Sequence, residues 1–221
     1  MFPFLTAPVA QAILRMALAV LPMAPEAPPL VALEDVVMDP AAFMGQTVRV
    51  HVQMHSEEPA WSPYLTRFTP AAYRAFRVWT DDQLLWTKQD YETPKARLFA
   101  PRGVLRRFSH AKLQERFLCT ITVEELFAGQ AWIEVKRAIP TRAYVPEGVV
   151  LHAIKARELV ERGAYDLAVG EYERALAAPL PTHVADCLVR AREACAVRAG
   201  KHKGRPMEAR VERKRTSGVR R

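Results

Sequence analysis

The residue types that most often carry out chemistry are present in this 221-residue chain, but their spacing forms no recognisable catalytic motif. His51 and His55 share one face of a predicted strand and would lie about 13 Å apart, too far for both to bind one metal ion. Ser109 and His110 are neighbours, yet the chain has no G-x-S-x-G sequence to present a nucleophile. It also has no P-loop and no dinucleotide-binding fingerprint. We therefore expect no enzyme activity, no metal site and no cofactor.

The formal net charge of +8 is confined to the C-terminal end of the chain. Residues 198–221 contain ten Lys or Arg and two Glu, so the remainder, with 22 basic and 22 acidic residues, is neutral. Such a basic tail attracts phosphate groups and anionic surfaces in a salt-dependent manner, which makes nucleic acid a candidate partner. The alternative, which we favour, is a solvated and disordered terminus, the commoner meaning of a charge run.

The three cysteines fit neither a disulfide framework nor a metal-binding spacing. Cys119 lies in the strand-like stretch "FLCTITV" on the same face as Phe117 and Ile121, and we interpret it as a small core residue. Cys187 and Cys195 would lie about 12 Å apart along a predicted helix, so they cannot bond to each other.

Residues 1–30 form an apolar, proline-rich leader whose composition differs from the rest of the chain. Arg15 followed by "MALAVLPMA" resembles the charge-then-apolar order of a secretory signal, with small residues at Ala24 and Ala27 as candidate cleavage positions. Prolines and Arg15 interrupt the apolar run well before about 20 residues, so we expect no membrane span. The leader favours an exported, periplasmic protein. The alternative is an uncleaved leader on a cytoplasmic protein.

Residues 31–146 are predicted to form a β-domain because apolar residues recur at every second position. In "TVRVHVQMH", polar residues alternate with four apolar ones, Val48, Val50, Val52 and Met54. "AFRVWT" and "LLWT" indicate two strands around a turn at Asp81–Asp82, and "FLCTITVEEL" and "AWIEVKRAI" indicate two more, joined at Gly129. The stretch "RGVLRRFSHAKLQERF" between these pairs can hold a short helix.

Five strands with a helix inserted before the last two resemble an oligonucleotide/oligosaccharide-binding (OB) barrel. The lead-in "DPAAFMGQTVRVHV" is similar to the approach to the first strand of such domains. The resemblance implies a ligand groove across the second and third strands, where aromatic rings and cationic side chains contact the ligand. Arg77, Trp79 and Trp86 are the candidate ligand-binding residues, because Arg77 and Trp79 would share one strand face. We expect most other aromatic residues of this domain to fill the small barrel.

Residues 147–199 have helical periodicity throughout, and Gly163 is predicted to end the first of three helices. The stretch resembles a tetratricopeptide repeat in the residues that would pack its helix pair, which are Ala156, Gly163, Tyr165, Ala168, Tyr172, Ala175 and Pro181. It departs from that repeat at His152 and Lys155, where a large aromatic residue and a leucine are usual.

One helix pair cannot bury its apolar faces alone, and repeats of this kind normally need at least three copies. The third helix can cap one side. We expect the β-domain to cover the other, with a second copy of the chain or another protein as the alternatives.

The sequence therefore predicts an α+β protein, in which a small OB-like barrel is followed by a three-helix segment and a basic tail at residues 200–221. We expect a non-catalytic binding or adaptor protein that contacts another protein, or itself, through the β-domain and the helices. The alternative is a nucleic-acid-binding protein that uses the OB-like face and the tail.

Overall fold

The computed structural model describes residues 27–61, 68–103, 105–127 and 130–203. Residues 1–26 of the predicted leader lie outside these residues, as do the predicted turn at Gly129 and the basic tail beyond Lys203. No helix in the described ranges is long and apolar enough to cross a membrane.

The predicted fold class is confirmed: the chain is an α+β protein in which five strands form a barrel and three packed helices follow. The described elements, in chain order, are α1 (Leu33–Met38), β1 (Thr47–Glu58), β2 (Tyr73–Trp79), α2 (Lys88–Glu92), β3 (Ala96–Pro101), α3 (Arg106–Ser109), β4 (Arg116–Phe127), β5 (Gln130–Pro140), α4 (Glu147–Glu161), α5 (Tyr165–Leu176) and α6 (Thr182–Lys203).

The strands close into a barrel in the order β1, β2, β3, β5, β4. Neighbouring strands are antiparallel except for β3 and β5, which run parallel with Leu98 opposite Ile133. Parallel strands need a crossover connection, and the chain between β3 and β5 provides one through α3 and β4. Each barrel strand therefore has a partner on both sides, which protects the sheet from pairing with other chains.

The barrel interior is filled by apolar side chains from all five strands, and residues of α1 and α3 pack against them. The alternation predicted for β1 is confirmed, since the buried residues are Val48, Val50, Val52 and Met54. The corresponding buried residues of β4 are Phe117, Cys119, Ile121 and Val123. Cys119 is thus a core residue, and α3 is the short helix predicted before the last two strands.

The predicted strand at "LLWT" is wrong, and alternation missed the third strand, β3. Leu85 and Trp86 lie in the loop after β2 and are buried against the C-terminal helices instead of pairing with a strand. The loop continues into α2, where the Thr87 hydroxyl accepts a hydrogen bond from the backbone N–H of Asp90 (3.3 Å). A short run of bulky apolar residues has the composition of a strand, but here a distant element provides its burial.

The three C-terminal helices pack in chain order, α4 against α5 and α5 against α6. α4 ends at Glu161, and the predicted terminator Gly163 lies just beyond it with the left-handed φ of +75°. The backbone N–H groups of Gly163 and Ala164 donate to the carbonyl oxygens of Val160 (3.0 Å) and Leu159 (2.8 Å), which turns the chain toward α5.

The barrel covers the open side of the helix pair, as the sequence led us to expect. We call this contact the junction; it unites Trp79, Leu85 and Trp86 with residues of α4 and its approach, among them Val145, Val149, Val150 and Ala153. Gln53 of β1 adds two hydrogen bonds, donating to the Val145 carbonyl (3.0 Å) and accepting from the Val145 N–H (3.2 Å). The helix pair therefore buries part of its apolar surface within its own chain, while Leu151, Ile154 and Leu167 stay exposed.

Candidate functional site

The structure separates the three predicted ligand-binding residues, beginning with Trp79. It lies on the outer face of β2, as alternation predicts, but it is only 1% exposed because the junction covers it. Its indole N–H is shared by the carbonyl oxygens of Asp90 (3.1 Å) and Tyr91 (3.2 Å), and the His55 ring meets it edge-on at 4.8 Å. Trp79 therefore packs the helices against the barrel and presents no open ring face to a ligand.

Trp86 lies in one wall of an apolar groove, about 350 Å³ in volume, that we call the junction groove. The loop and α2 contribute Leu85, Trp86 and Tyr91, and α4 contributes Val150, Leu151 and Ile154. Leu151 is 58% exposed and Ile154 is 37% exposed, so the groove presents apolar surface to solvent. Grooves of this size with mainly apolar walls are typical of ligand-binding sites.

The walls of the junction groove are held in place by hydrogen bonds behind them. The Arg157 guanidinium donates to the Trp86 carbonyl (3.2 Å), which ties the loop to α4. At the rim, Lys88 and Glu92 of α2 pair with each other (3.9 Å), and Glu147 stands at the start of α4. The groove is thus a preformed apolar channel with a polar rim.

Arg77 lies elsewhere, in a second cleft of about 300 Å³ across β2, β3 and β5. Its polar lining consists of Arg77, Lys95, Arg97 and Gln130, and we call it the cationic cleft. Arg77 and Arg97 flank the carboxylate of Glu58, at 3.2 Å and 3.5 Å respectively. Because two guanidinium groups share one carboxylate, this end of the cleft is positively charged.

Lys95, the third cation of the cationic cleft, forms an ion pair with Asp82. Burial opposes ionisation of Asp82, but hydrogen bonds from Lys95 and from the Thr80 hydroxyl outweigh it and lower the pKa of the carboxyl. Asp82 therefore stays ionised. It neutralises Lys95, and the excess charge of the cleft comes from its two arginines.

The aromatic side chains beside the cationic cleft stack on one another. Phe99 stacks on Phe68 (centroids 4.9 Å apart) and on Trp132 (4.8 Å), and Phe68 and Trp132 stack on each other at 6.3 Å. The Arg97 guanidinium covers the Trp132 ring at 4.6 Å. Since these three rings are buried, none of them offers an open face for a base or sugar to stack on.

A charged cluster lies at another edge of the junction, where sequence reasoning saw only a turn and an exposed strand residue. Asp81, in the turn after β2, binds Arg116 of β4 (2.6 Å) and lies 3.8 Å from the imidazole of His183 on α6. His51 faces the same group. Burial lowers the pKa of His51, and the neighbouring Arg116 lowers it further. These side chains bring α6 and the barrel into contact at the turn after β2.

The predicted helix-packing residues lie in the helical core or at its turn. Ala156, Ala168 and Ala175 are fully buried, and Tyr172 is nearly so. Tyr165 is half-buried, with the Arg198 guanidinium 5.7 Å from its ring centroid. Small residues at the buried positions let the helix backbones approach closely while the tyrosine rings fill the remaining space.

The two departures from the repeat pattern in α4 have a common partner in α5. Buried Glu171 accepts a hydrogen bond from His152 (2.8 Å) and forms ion pairs with Lys155 (2.9 Å) and Arg174 (2.7 Å). Hydrogen bonds from Lys155 and His152 lower the pKa of Glu171 to about 2. A polar contact thus replaces the aromatic and leucine packing that the repeat usually has there.

The cysteines are the remaining reactive residues in the part of the chain that the structure describes. The thiols of Cys119, Cys187 and Cys195 are free, and burial raises the pKa of Cys119 and of Cys195, which keeps both protonated. Within the described ranges, no group of three or more histidine, cysteine or acidic side chains could hold a metal ion. Comparisons with protein families, curated proteins and solved structures find no match to this chain.

Proposed function

We propose that the protein is a non-catalytic binding or adaptor protein that docks an apolar segment of a partner protein in the junction groove. The observation that carries this proposal is the groove itself, in which Leu151 and Ile154 lie exposed beside Trp86 and Tyr91. Exposed apolar side chains in a concave site with a polar rim are typical of places where a partner binds.

The preformed walls of the groove support the same proposal. Trp79 and Arg157 fix the loop and α4 through hydrogen bonds to backbone carbonyls, so a partner would lose little free energy in ordering the site. The resemblances to an OB barrel and to a tetratricopeptide helix pair also favour binding over catalysis, because both folds serve mainly as binding scaffolds. The inner face of the helix pair is covered by the barrel, which leaves the edge of the contact as the docking surface.

The experiment selects peptides from a random library displayed on phage, using the whole protein as bait, and measures the affinity of each by fluorescence anisotropy. We expect apolar peptides whose affinity falls by roughly tenfold or more in the variant Leu151→Asp/Ile154→Asp, because charge in the groove must be desolvated when the peptide binds. The matched control is Leu167→Asp/Val197→Asp, which places the same charges on exposed apolar residues outside the groove. Equal affinity for the groove variant and the wild type would refute the proposal.

Single-stranded nucleic acid is the second candidate ligand, and the cationic cleft is the observation that favours it. The cleft crosses β2 and β3, the face on which the OB resemblance places the ligand, and the basic tail would add nonspecific attraction. Because the neighbouring rings are buried, binding would rely on phosphate contacts and would fall steeply with salt.

Oligonucleotide anisotropy tests this second candidate. Arg77→Gln/Arg97→Gln should weaken binding of an oligothymidylate by roughly tenfold at low salt, whereas removal of residues 204–221 should flatten the salt dependence. The control, Arg162→Gln/Arg190→Gln, makes the same charge change on exposed positions of the helical segment. If both double variants bind the oligonucleotide equally weakly, binding depends on net charge alone and not on the cationic cleft.

A further inference from the structure

A third concavity, separate from the junction groove and the cationic cleft, lies between the chain that leads from α3 into β4 and the chain that follows β5. Its volume is about 530 Å³. The side chains that matter to its chemistry are Arg107, Lys112, Leu113, Glu115, Arg142 and Tyr144. We call it the α3–β5 cleft.

The α3–β5 cleft carries positive charge that the protein does not neutralise. Its one carboxylate, Glu115, is already engaged, because it pairs with Arg107 and accepts a hydrogen bond from the backbone N–H of Lys112 (3.1 Å). The ammonium group of Lys112 and the guanidinium of Arg142 form no ion pair with any residue of the described ranges. Two uncompensated cations therefore line one small concave site.

Backbone hydrogen bonds hold both walls of this cleft. On one side, the N–H of Gln114 donates to the carbonyl of Met54 (2.7 Å), and the N–H of Met54 donates to the carbonyl of Glu115 (2.9 Å). On the other, the N–H of Thr141 donates to the carbonyl of Arg116 (2.8 Å). The cations are thus attached to segments fixed to β1 and β4, so binding an anion requires little reordering of the backbone.

The apolar lining narrows the class of ligand. Leu113 is 51% exposed and Tyr144 is 38% exposed, so apolar surface adjoins the cations. A site that combines guanidinium and ammonium groups with an apolar wall suits a ligand that has an anionic head and an apolar body, and arginine matches the geometry of phosphate.

We propose that the α3–β5 cleft binds a small organic phosphate monoester. Lys112 and Arg142 contact the phosphate, and Leu113 and Tyr144 contact the apolar body. This inference does not depend on the partner-docking proposal, because the two sites share no lining residue.

Titration of the full chain with phenyl phosphate, followed by calorimetry and by amide NMR shifts, tests the inference. We expect saturable binding with shifts concentrated in residues 112–115 and 141–144. Lys112→Gln/Arg142→Gln should weaken it by roughly tenfold or more, since each lost charge removes a charge-assisted contact. The control, Arg162→Gln/Arg190→Gln, removes equal charge from exposed helical positions and should bind as the wild type does.

Inorganic phosphate and benzoate serve as the comparison ligands. Phenyl phosphate should bind more tightly than either, because only it offers both a phosphate and an apolar body. The proposed site would be refuted if phenyl phosphate showed no saturable binding or if the amide shifts were spread over the basic surface. Equal loss of affinity in the control variant would also refute it. Benzoate binding as tightly as phenyl phosphate would overturn the assignment to phosphate.

Discussion

The barrel interior and the junction are both apolar clusters, but they are closed in different ways. In the interior, every side chain of the cluster is at most 3% exposed, and its neighbours come from the strands and from the short helices α1 and α3. At the junction, Trp79 and Ala153 are buried just as deeply. Its edges differ, since one opens into the junction groove and another carries the ion pair of Asp81 with Arg116.

This difference shows where the fold can hold a binding site without losing stability. A barrel that closes on itself uses all of its inward side chains for packing, and any opening there would leave a cavity. The junction joins segments far apart in the chain, such as Gln53 and Val145, and its buried centre holds them together. Apolar and charged groups at its margins can therefore remain partly exposed and available to a partner.

The largest expected effect comes from opening the barrel interior. Phe117→Ala should lower the free energy of unfolding by about 3–5 kcal/mol, because it deletes a fully buried ring from a closed cluster. The control is Phe127→Ala near the end of the same strand, where the ring is 44% exposed and the loss should stay below about 1 kcal/mol. Urea unfolding curves measure both, and equal losses would mean that the interior is not packed more tightly than the surface.

A smaller effect, confined to the junction, should follow from breaking the ion pair between Asp81 and Arg116. Arg116→Met leaves Asp81 without its closest partner and should cost about 1.5–3 kcal/mol. Hydrogen exchange should then accelerate in the turn after β2, which holds Asp81, before it does in β5, because the lost ion pair connects that turn to β4.

The double variant Asp81→Asn/Arg116→Met separates the ion pair from the general effect of a substitution. Removing both charges should cost less than the sum of the two single changes, because no unpaired charge is left behind. Additive costs would show that the two charges are not coupled. Exchange that accelerates equally in β5 and in the turn after β2 would show that the junction and the barrel unfold as one unit.

Side-chain periodicity predicted which face of a strand points inward, but not what covers the opposite face. For β1 and β4 the inward sets follow directly from alternation, because a barrel interior is always filled by its own strands. Trp79 shows the limit. Its strand face was predictable, yet its burial depends on helices that begin at Glu147, far along the chain.

The missed third strand and the buried Glu171 have related explanations. In the strand "ARLFAP", small alanines occupy inward positions, so the alternation of apolar and polar residues is weak. The run "LLWT" has the apolar composition of a strand but lies in a loop. His152 and Lys155 looked like flaws in a repeat because their partner, Glu171, is on the next helix. Pairing polar departures on α4 with acidic residues on α5 could have found that contact.

The smallest expected effect concerns the C-terminal helices, where the ion pairs of Glu171 replace apolar packing between α4 and α5. Glu171→Gln should lower the free energy of unfolding by roughly 1–2 kcal/mol near neutral pH. The loss is no larger because the cationic partners of Glu171 are exposed and screened by solvent.

The folded-state pKa of Glu171 is lowered from its usual 4.5 to about 2. The carboxylate therefore stabilises the fold above about pH 4.5, and this contribution is lost as the pH falls toward 2. Urea midpoints of the variant and the wild type should converge over that range, whereas the exposed control Glu173→Gln should show no such change. A difference that stays constant with pH would mean that Glu171 acts through packing and not through its charge.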